Sequence, residues 1–171
     1  MRAIRTSLCL LAACAAAPAC AAPAALLNKS ITVSYATTIP GKKADGTQVT
    51  GTRNSTRTIY ISSAGRIFGR VARRDHNATE TKEAGPGESG NTLRFVGDKL
   101  VGFMQFPSGA VQMTISFDPS GQSCSASLVA GRDNGRPLRW KMVDGSIREA
   151  TGPATFSNVS CSIASGNAFG S

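Results

Sequence analysis

Histidine and tryptophan occur once each in this chain of 171 residues, and acidic residues number only ten. Each shortage removes a class of chemistry. With one imidazole, His76, a histidine-based metal site is excluded, and the remaining soft ligands would have to be cysteines. No Gly-x-Ser-x-Gly turn accompanies His76, so the hydrolase pattern of that type is missing. Gly41-Lys42-Lys43 lacks both the upstream glycine and the following hydroxyl of a phosphate-binding loop. The single tryptophan, Trp140, stands far from the first strand, where a lipocalin would carry Gly-x-Trp. Long apolar runs are missing as well: nothing reaches the roughly 20 residues that a membrane-spanning helix requires.

The first two dozen residues have the opposite character. Arg2 and Arg5 precede a short apolar run from Leu8 to Ala17, and Ala19-Cys20-Ala21 forms a small-residue exit. A charged start, a short apolar middle and an Ala-x-Ala site are what an export channel and signal peptidase read, so residues 1–22 are expected to be a signal peptide. Leu11-Ala12-Ala13-Cys14 also fits a cut before a lipid-modified cysteine, which keeps anchoring at Cys14 as a minor alternative. Residues 23–171 are expected to form one domain, since about 150 residues is an ordinary domain size. The expected location is periplasmic or secreted.

Export also simplifies the cysteine count. Cys9, Cys14 and Cys20 would leave with the signal, and Cys124 and Cys161 remain as an even pair in an oxidising compartment. A disulfide between them is expected. Loss of Arg2 and Arg5 takes nineteen basic residues to seventeen against ten acids, a net charge of about +7 where the full chain has +9. Such an excess favours encounter with anionic surfaces and says nothing of the fold.

Alternation of period two dominates the mature part. Val111, Met113, Ile115 and Phe117 interleave with Gln112, Thr114 and Ser116, the pattern of a half-buried strand. Ile31, Val33 and Tyr35 alternate likewise, as do Leu93 and Phe95, and Leu100 through Met104 to Phe106. Thr58 to Ile61 and Arg66 to Val71 are rich in β-branched and aromatic residues. Turn chemistry separates these runs, as in Ala44-Asp45-Gly46, Ser63-Ala64-Gly65, Gly97-Asp98 and Pro119-Ser120-Gly121. Spacing from Thr92 to Ala130 predicts four consecutive antiparallel strands. Arg139 to Ala150 is interrupted by Asp144-Gly145 and reads as a further hairpin, while the glycine-rich stretch 79–91 reads as a mobile surface loop. The fold class is therefore all-β, with about eight antiparallel strands in a meander, an up-and-down barrel being favoured over a two-layer sandwich. Cys124 shares parity with Ala126 and Leu128, and Cys161 with Val159 and Ile163, so both sulfurs are expected to point inward.

The Ser62-Ser63-Ala64-Gly65-Arg66 hairpin and the ending Cys161-Ser162-Ile163, followed by Gly166-Asn167-Ala168-Phe169, resemble small exported β proteins of alphaproteobacterial type. The resemblance implies an exported β domain and brings no catalytic residues.

Two basic clusters are candidate sites for an anionic partner. One holds Arg66, Arg70, Arg73 and Arg74, with Arg66 and Arg70 on one strand face and Phe68 between them. Guanidinium groups around an aromatic ring hold carboxylate or phosphate in a fork. The other holds Arg132, Arg136, Arg139 and Lys141 around Trp140, where a base or sugar ring has a surface to stack on. Glu80, Glu83 and Glu88 read as solvated charge. No cofactor is implied. The leading expectation is a non-catalytic exported domain that binds an anionic polysaccharide, lipopolysaccharide or DNA through its arginines, or a small apolar ligand inside a barrel. The alternatives are a small hydrolase using Asp75 and His76, and an inhibitor or envelope structural protein whose partner is another envelope protein.

Overall fold

The computed structural model describes residues 21–75, 78–88, 91–102, 111–130, 139–141 and 146–169. It is all-β, with antiparallel pairing throughout. After a single 3-10 turn at Ala24–Leu26 come β1 (Lys29–Lys42), β2 (Gln48–Ile61), β3 (Ile67–Asp75) and β4 (Ala78–Ala84). The order continues with β5 (Arg94–Val96), β6 (Lys99–Gly102), β7 (Val111–Phe117) and β8 (Cys124–Ala130). Then follow β9 (Arg139–Lys141), β10 (Ile147–Ala150) and β11 (Thr155–Ser165).

Two separate sheets result. The larger runs β4-β3-β2-β1-β10-β9, with β11 also paired to β1, and the smaller is the meander β5-β6-β7-β8. The four consecutive strands expected between Thr92 and Ala130 are this smaller sheet, and Arg139–Lys141 and Ile147–Ala150 pair as the expected hairpin. Among the described residues no ladder joins the sheets into a closed barrel. Instead they contribute to one core: Ile31, Val33, Ile59, Ile61 and Val71 from the larger sheet meet Phe95, Leu100, Met113 and Ile115 from the smaller. Burying each such aliphatic or aromatic side chain is worth about 1.5 to 3 kcal/mol.

Local chemistry sets the corners. Between β1 and β2 the Gly46 amide donates to Lys43 O, and Asp45 Oδ1 accepts from the Thr47 amide at 2.9 Å. Between β2 and β3 the Gly65 amide donates to Ser62 O, with Gly65 at φ +72°. Both corners fall where the sequence places them.

Cys124 and Cys161 form a disulfide, with Cα atoms 5.6 Å apart. It ties the last strand of the smaller sheet, β8, to β11 of the larger. The cysteines, Ala126, Leu128 and Ile163 all pack against the core, as their parity predicts, but Val159 does not. Val159 is 39% exposed. The reason is a bulge: Ser34 pairs with Ser160 and Ala36 with Ser157, so Asn158 and Val159 together oppose Tyr35. Asn158 takes the left-handed conformation this needs, at φ +53°, which asparagine tolerates better than other non-glycine residues. The bulge reverses parity, and Phe156 on one side of it and Cys161 on the other both pack against the core.

A second correction concerns the stretch 79–91. Its first part is not a loop, because Ala78–Ala84 pairs with β3 as an edge strand. Opposite charges facing across that pair, Arg73 with Glu80 and Arg70 with Glu83, give this polar segment the partners that its lack of apolar residues hides.

Candidate functional site

The two faces of the larger sheet differ from what most half-buried sheets show. Its inner face changes character along the strands. At one end the inward residues are Ile31, Val33, Ile59, Ile61 and Val71; at the other they are Thr37, Arg53, Ser55, Arg57, Arg73 and Asp75, all buried. Register makes this a layer. Thr37 faces Arg53, Tyr35 faces Ser55, and Ser55 faces Arg73, which in turn faces Glu80.

Pairing keeps most of these charges in place. Arg53 donates side-on to Asp75, Nε to Oδ1 at 2.8 Å and Nη2 to Oδ2 at 3.4 Å. Arg73 donates through Nη2 to Glu80, which also accepts from Lys82 at 3.0 Å. Burial lowers the pKa of Arg73 from its usual value, and the hydrogen bond to Glu80 opposes that pull. At Glu80 burial acts upward, but bonds from Lys82 and Arg73 outweigh it and hold the carboxyl below its ordinary range.

Arg57 is different. Its Nε donates to Tyr35 Oη at 2.8 Å, and its guanidinium lies 5.9 Å from the centre of that ring. Among the described residues its buried Nη1 has no hydrogen-bond partner. Removing an ion from water costs several kcal/mol even after relaxation, and a neutral hydroxyl recovers only part of that.

The outer face of the same sheet carries short polar side chains in rows across four strands. Ser162, Thr32, Thr58 and Arg70 form one row. Ser160, Ser34, Thr56 and Ala72 form the next, and Ser157, Ala36, Asn54 and Arg74 a third. Thr155, Thr38 and Thr52 make a fourth. Ser34 and Thr56 hydroxyls lie 3.2 Å apart and hydrogen-bond each other. The neighbouring corner is aromatic, with Tyr60 between Phe68 at 6.1 Å and Phe169 at 6.5 Å.

The first basic cluster is divided by strand parity. Arg66 and Arg74 are exposed, and Arg66 sits 5.8 Å from the Phe68 ring centre, the neighbour expected for it. Arg70 shares their face but is engaged: Nε donates to Glu83 at 2.6 Å, Nη2 to the Phe169 carbonyl at 2.8 Å, and its guanidinium lies 4.7 Å from the Phe169 ring centre. Arg73 points the other way, into the buried layer. In the second cluster Arg139 and Lys141 lie on β9 beside Trp140, and Arg132 and Arg136 fall outside the described residues. His76 also lies outside them. Its neighbour Asp75 is buried, with both carboxylate oxygens accepting from Arg53.

Sequence reasoning missed Arg53, Arg57 and Tyr35 as a group. The signal was parity: counting back from Ile61 and Ile59 by twos reaches Arg57, Ser55 and Arg53. Compared with family models, with curated proteins and with solved structures, the chain finds no match, so the chemistry of these faces is read from its own residues.

Proposed function

We propose that this chain is an exported, non-catalytic β domain that holds an acidic polysaccharide against the outer face of its larger sheet. The reading takes the two sheets as layers of a sandwich, since they share a core and have separate ladders. Export rests on the charged and apolar start of the sequence and fits the disulfide. Among the described residues no helix is long and apolar enough to cross a membrane.

One observation carries the ligand class: rows of hydroxyl and amide side chains flanked by the exposed Arg66 and Arg74. Serine and threonine hydroxyls both donate and accept, matching the hydroxyls of a sugar chain. The two arginines lie eight residues apart along one chain direction, about 26 Å at the usual rise per residue. No small anion bridges that distance, whereas an extended polymer does. Nucleic acid fits less well, because about 6 to 10 phosphate contacts are typical of a tight DNA-binding protein and among the described residues this face offers two guanidinium groups, Arg66 and Arg74, without a carboxylate partner.

Binding of the mature protein to immobilised polygalacturonate, with dextran as the neutral control, tests the reading. Affinity is expected to fall with salt at a log-log slope of about 2, and Arg66→Ala with Arg74→Ala to weaken it about tenfold or more. No binding at low salt, or equal binding by the double variant, overturns it.

A further inference from the structure

We infer that Tyr60 and Arg70 form a subsite for one neutral sugar ring at the end of the outer face, and that the chain's own Phe169 fills it until a ligand displaces it. This subsite extends the face read above as a polysaccharide surface and stands on that reading. Register adds one more row to that face, Ala164, Ser30, Tyr60 and Phe68, so Tyr60 follows Thr58 on the outer side of β2. Ser30 breaks the pattern of its neighbours. Thr32 and Ser34 on the same side of β1 are half-exposed, whereas Ser30 is 2% exposed.

The segment that follows β11 covers it. Ser30 Oγ donates to Gly166 O at 2.7 Å and accepts from the Ala168 amide at 2.9 Å, while the Gly166 amide donates to Asn28 O at 2.7 Å. From there the chain reaches across to β2 and β3. The Phe169 ring meets Tyr60 edge to face at 6.5 Å, and the Phe169 carbonyl accepts from Arg70 Nη2 at 2.8 Å. Arg70 also sets its guanidinium 4.7 Å from the centre of the Phe169 ring. A six-membered ring therefore lies between an aromatic and a guanidinium, with an oxygen bonded to the latter. A pyranose offers the same two features, an apolar C–H face and oxygens around it.

Charge narrows the ligand. Arg70 Nε already donates to Glu83 at 2.6 Å, so the charge of the guanidinium is met, and what its Nη2 holds is an uncharged carbonyl. A hydroxyl or ring oxygen takes that place without adding charge. Carboxylates along the same polymer fall to Arg66 and Arg74, which enter none of the ion pairs among the described residues. The covering segment is also lightly held. Residues 165–168 are exposed, and from Gly166, at φ +84°, onward the segment has no strand partner. Chain with few buried contacts opens at small cost.

The test compares the mature domain with the same chain lacking residues 167–171, each titrated with polygalacturonate at several salt concentrations, and follows the Phe169 ring signals of the parent by NMR. Deletion is expected to tighten binding about fivefold to tenfold, since a site free only part of the time binds more weakly by that fraction. The log-log salt slope is expected to stay at about 2, because the ring gained is neutral. Adding Tyr60→Ala to the deletion is expected to cancel the gain, and the Phe169 signals of the parent to move toward those of an exposed ring as ligand is added. Equal or weaker binding by the shortened chain, a gain that survives Tyr60→Ala, or Phe169 signals unmoved at saturation overturns the subsite and leaves the outer-face reading standing. A slope rising to about 3 would put an anion on Arg70 and overturn the neutral class. Absence of binding in both chains removes the outer-face reading and the subsite together. Should the shortened chain not fold, Phe169→Ala, which removes the ring alone, takes its place.

Discussion

Arg53 on β2 and Asp75 on β3 are locked side-on inside the protein, two nitrogens against two oxygens, with 4% and 7% of their surfaces exposed. Such a pair contributes little beyond what well-packed apolar residues would, yet breaking it is expensive, because one charge is then left buried alone. Asp75→Ala is therefore expected to lower stability by about 3 to 5 kcal/mol. The double replacement Arg53→Met with Asp75→Leu is expected to cost far less than the single one. Urea denaturation of the three proteins measures both effects, and equal losses in single and double variants would contradict the burial described.

The disulfide joins two sheets that no strand ladder connects among the described residues, across a sequence separation of 37. Constraining the unfolded chain over such a loop is worth about 3 to 4 kcal/mol in the chain-entropy model. Cys124→Ser with Cys161→Ser is expected to lose that amount in equilibrium unfolding while keeping the strand signature in circular dichroism. A loss under about 1 kcal/mol would mean that the reduced chain is already restrained, against the model used.

Gly102 ends β6 at φ +148°, and a Cβ placed there would come within 2.5 Å of Thr92 O and 2.8 Å of Leu93 Cα. Both are backbone atoms, which cannot swing aside as a side-chain tip does. Gly102→Ala is expected to destabilise by about 1 to 3 kcal/mol, the usual cost of overpacking. Thermal unfolding reads it directly, and an unchanged midpoint would show that the chain there runs differently.

Asp118 organises the corner between β7 and β8. The Ser120 hydroxyl donates to it, followed by the amides of Ser123 at 2.5 Å, Ser120 at 3.1 Å and Gln122 at 2.8 Å. These donors favour the ionised form and hold its pKa well below the usual 3.8. A carboxyl depressed on folding stabilises the native state above its unfolded pKa, and that contribution fades as pH falls below about 4. Asp118→Asn is expected to flatten the acid side of the stability profile, leaving the neutral plateau lower. A profile parallel to the parent's would contradict the assignment.

Much of this architecture was readable before any coordinates. The meander from Thr92 to Ala130 shows because Val111, Met113 and Ile115 alternate cleanly with polar residues, and a sheet with one wet face writes that pattern into its strands. The first half of β2 did not show. In Gln48–Ile61, Thr52, Asn54 and Thr56 face outward while Arg53, Ser55 and Arg57 face inward, so both faces are polar and hydropathy carries no period. A buried arginine looks like a surface one until its partner is known, and Asp75 lies 22 residues further along the chain. The same blindness placed Arg73 with the surface cluster. Parity with Cys161 and Ile163 predicts Val159 inward, but Val159 lies in the bulge where one extra residue breaks the alternation, and nothing in Ser157-Asn158-Val159-Ser160 announces it apart from the asparagine.

The interior layer of Arg53, Arg57, Arg73 and Asp75 is the central claim about this sheet, and it has a direct readout. Hydrogen exchange of the arginine Nε–H groups, followed by nitrogen-15 NMR in the folded protein, separates shielded guanidinium groups from wet ones. The Nε–H signals of Arg53 and Arg57 are expected to persist at a pH where those of Arg66 and Arg74 have been lost to exchange with water. Exchange of all four at the rate of free arginine would contradict the account.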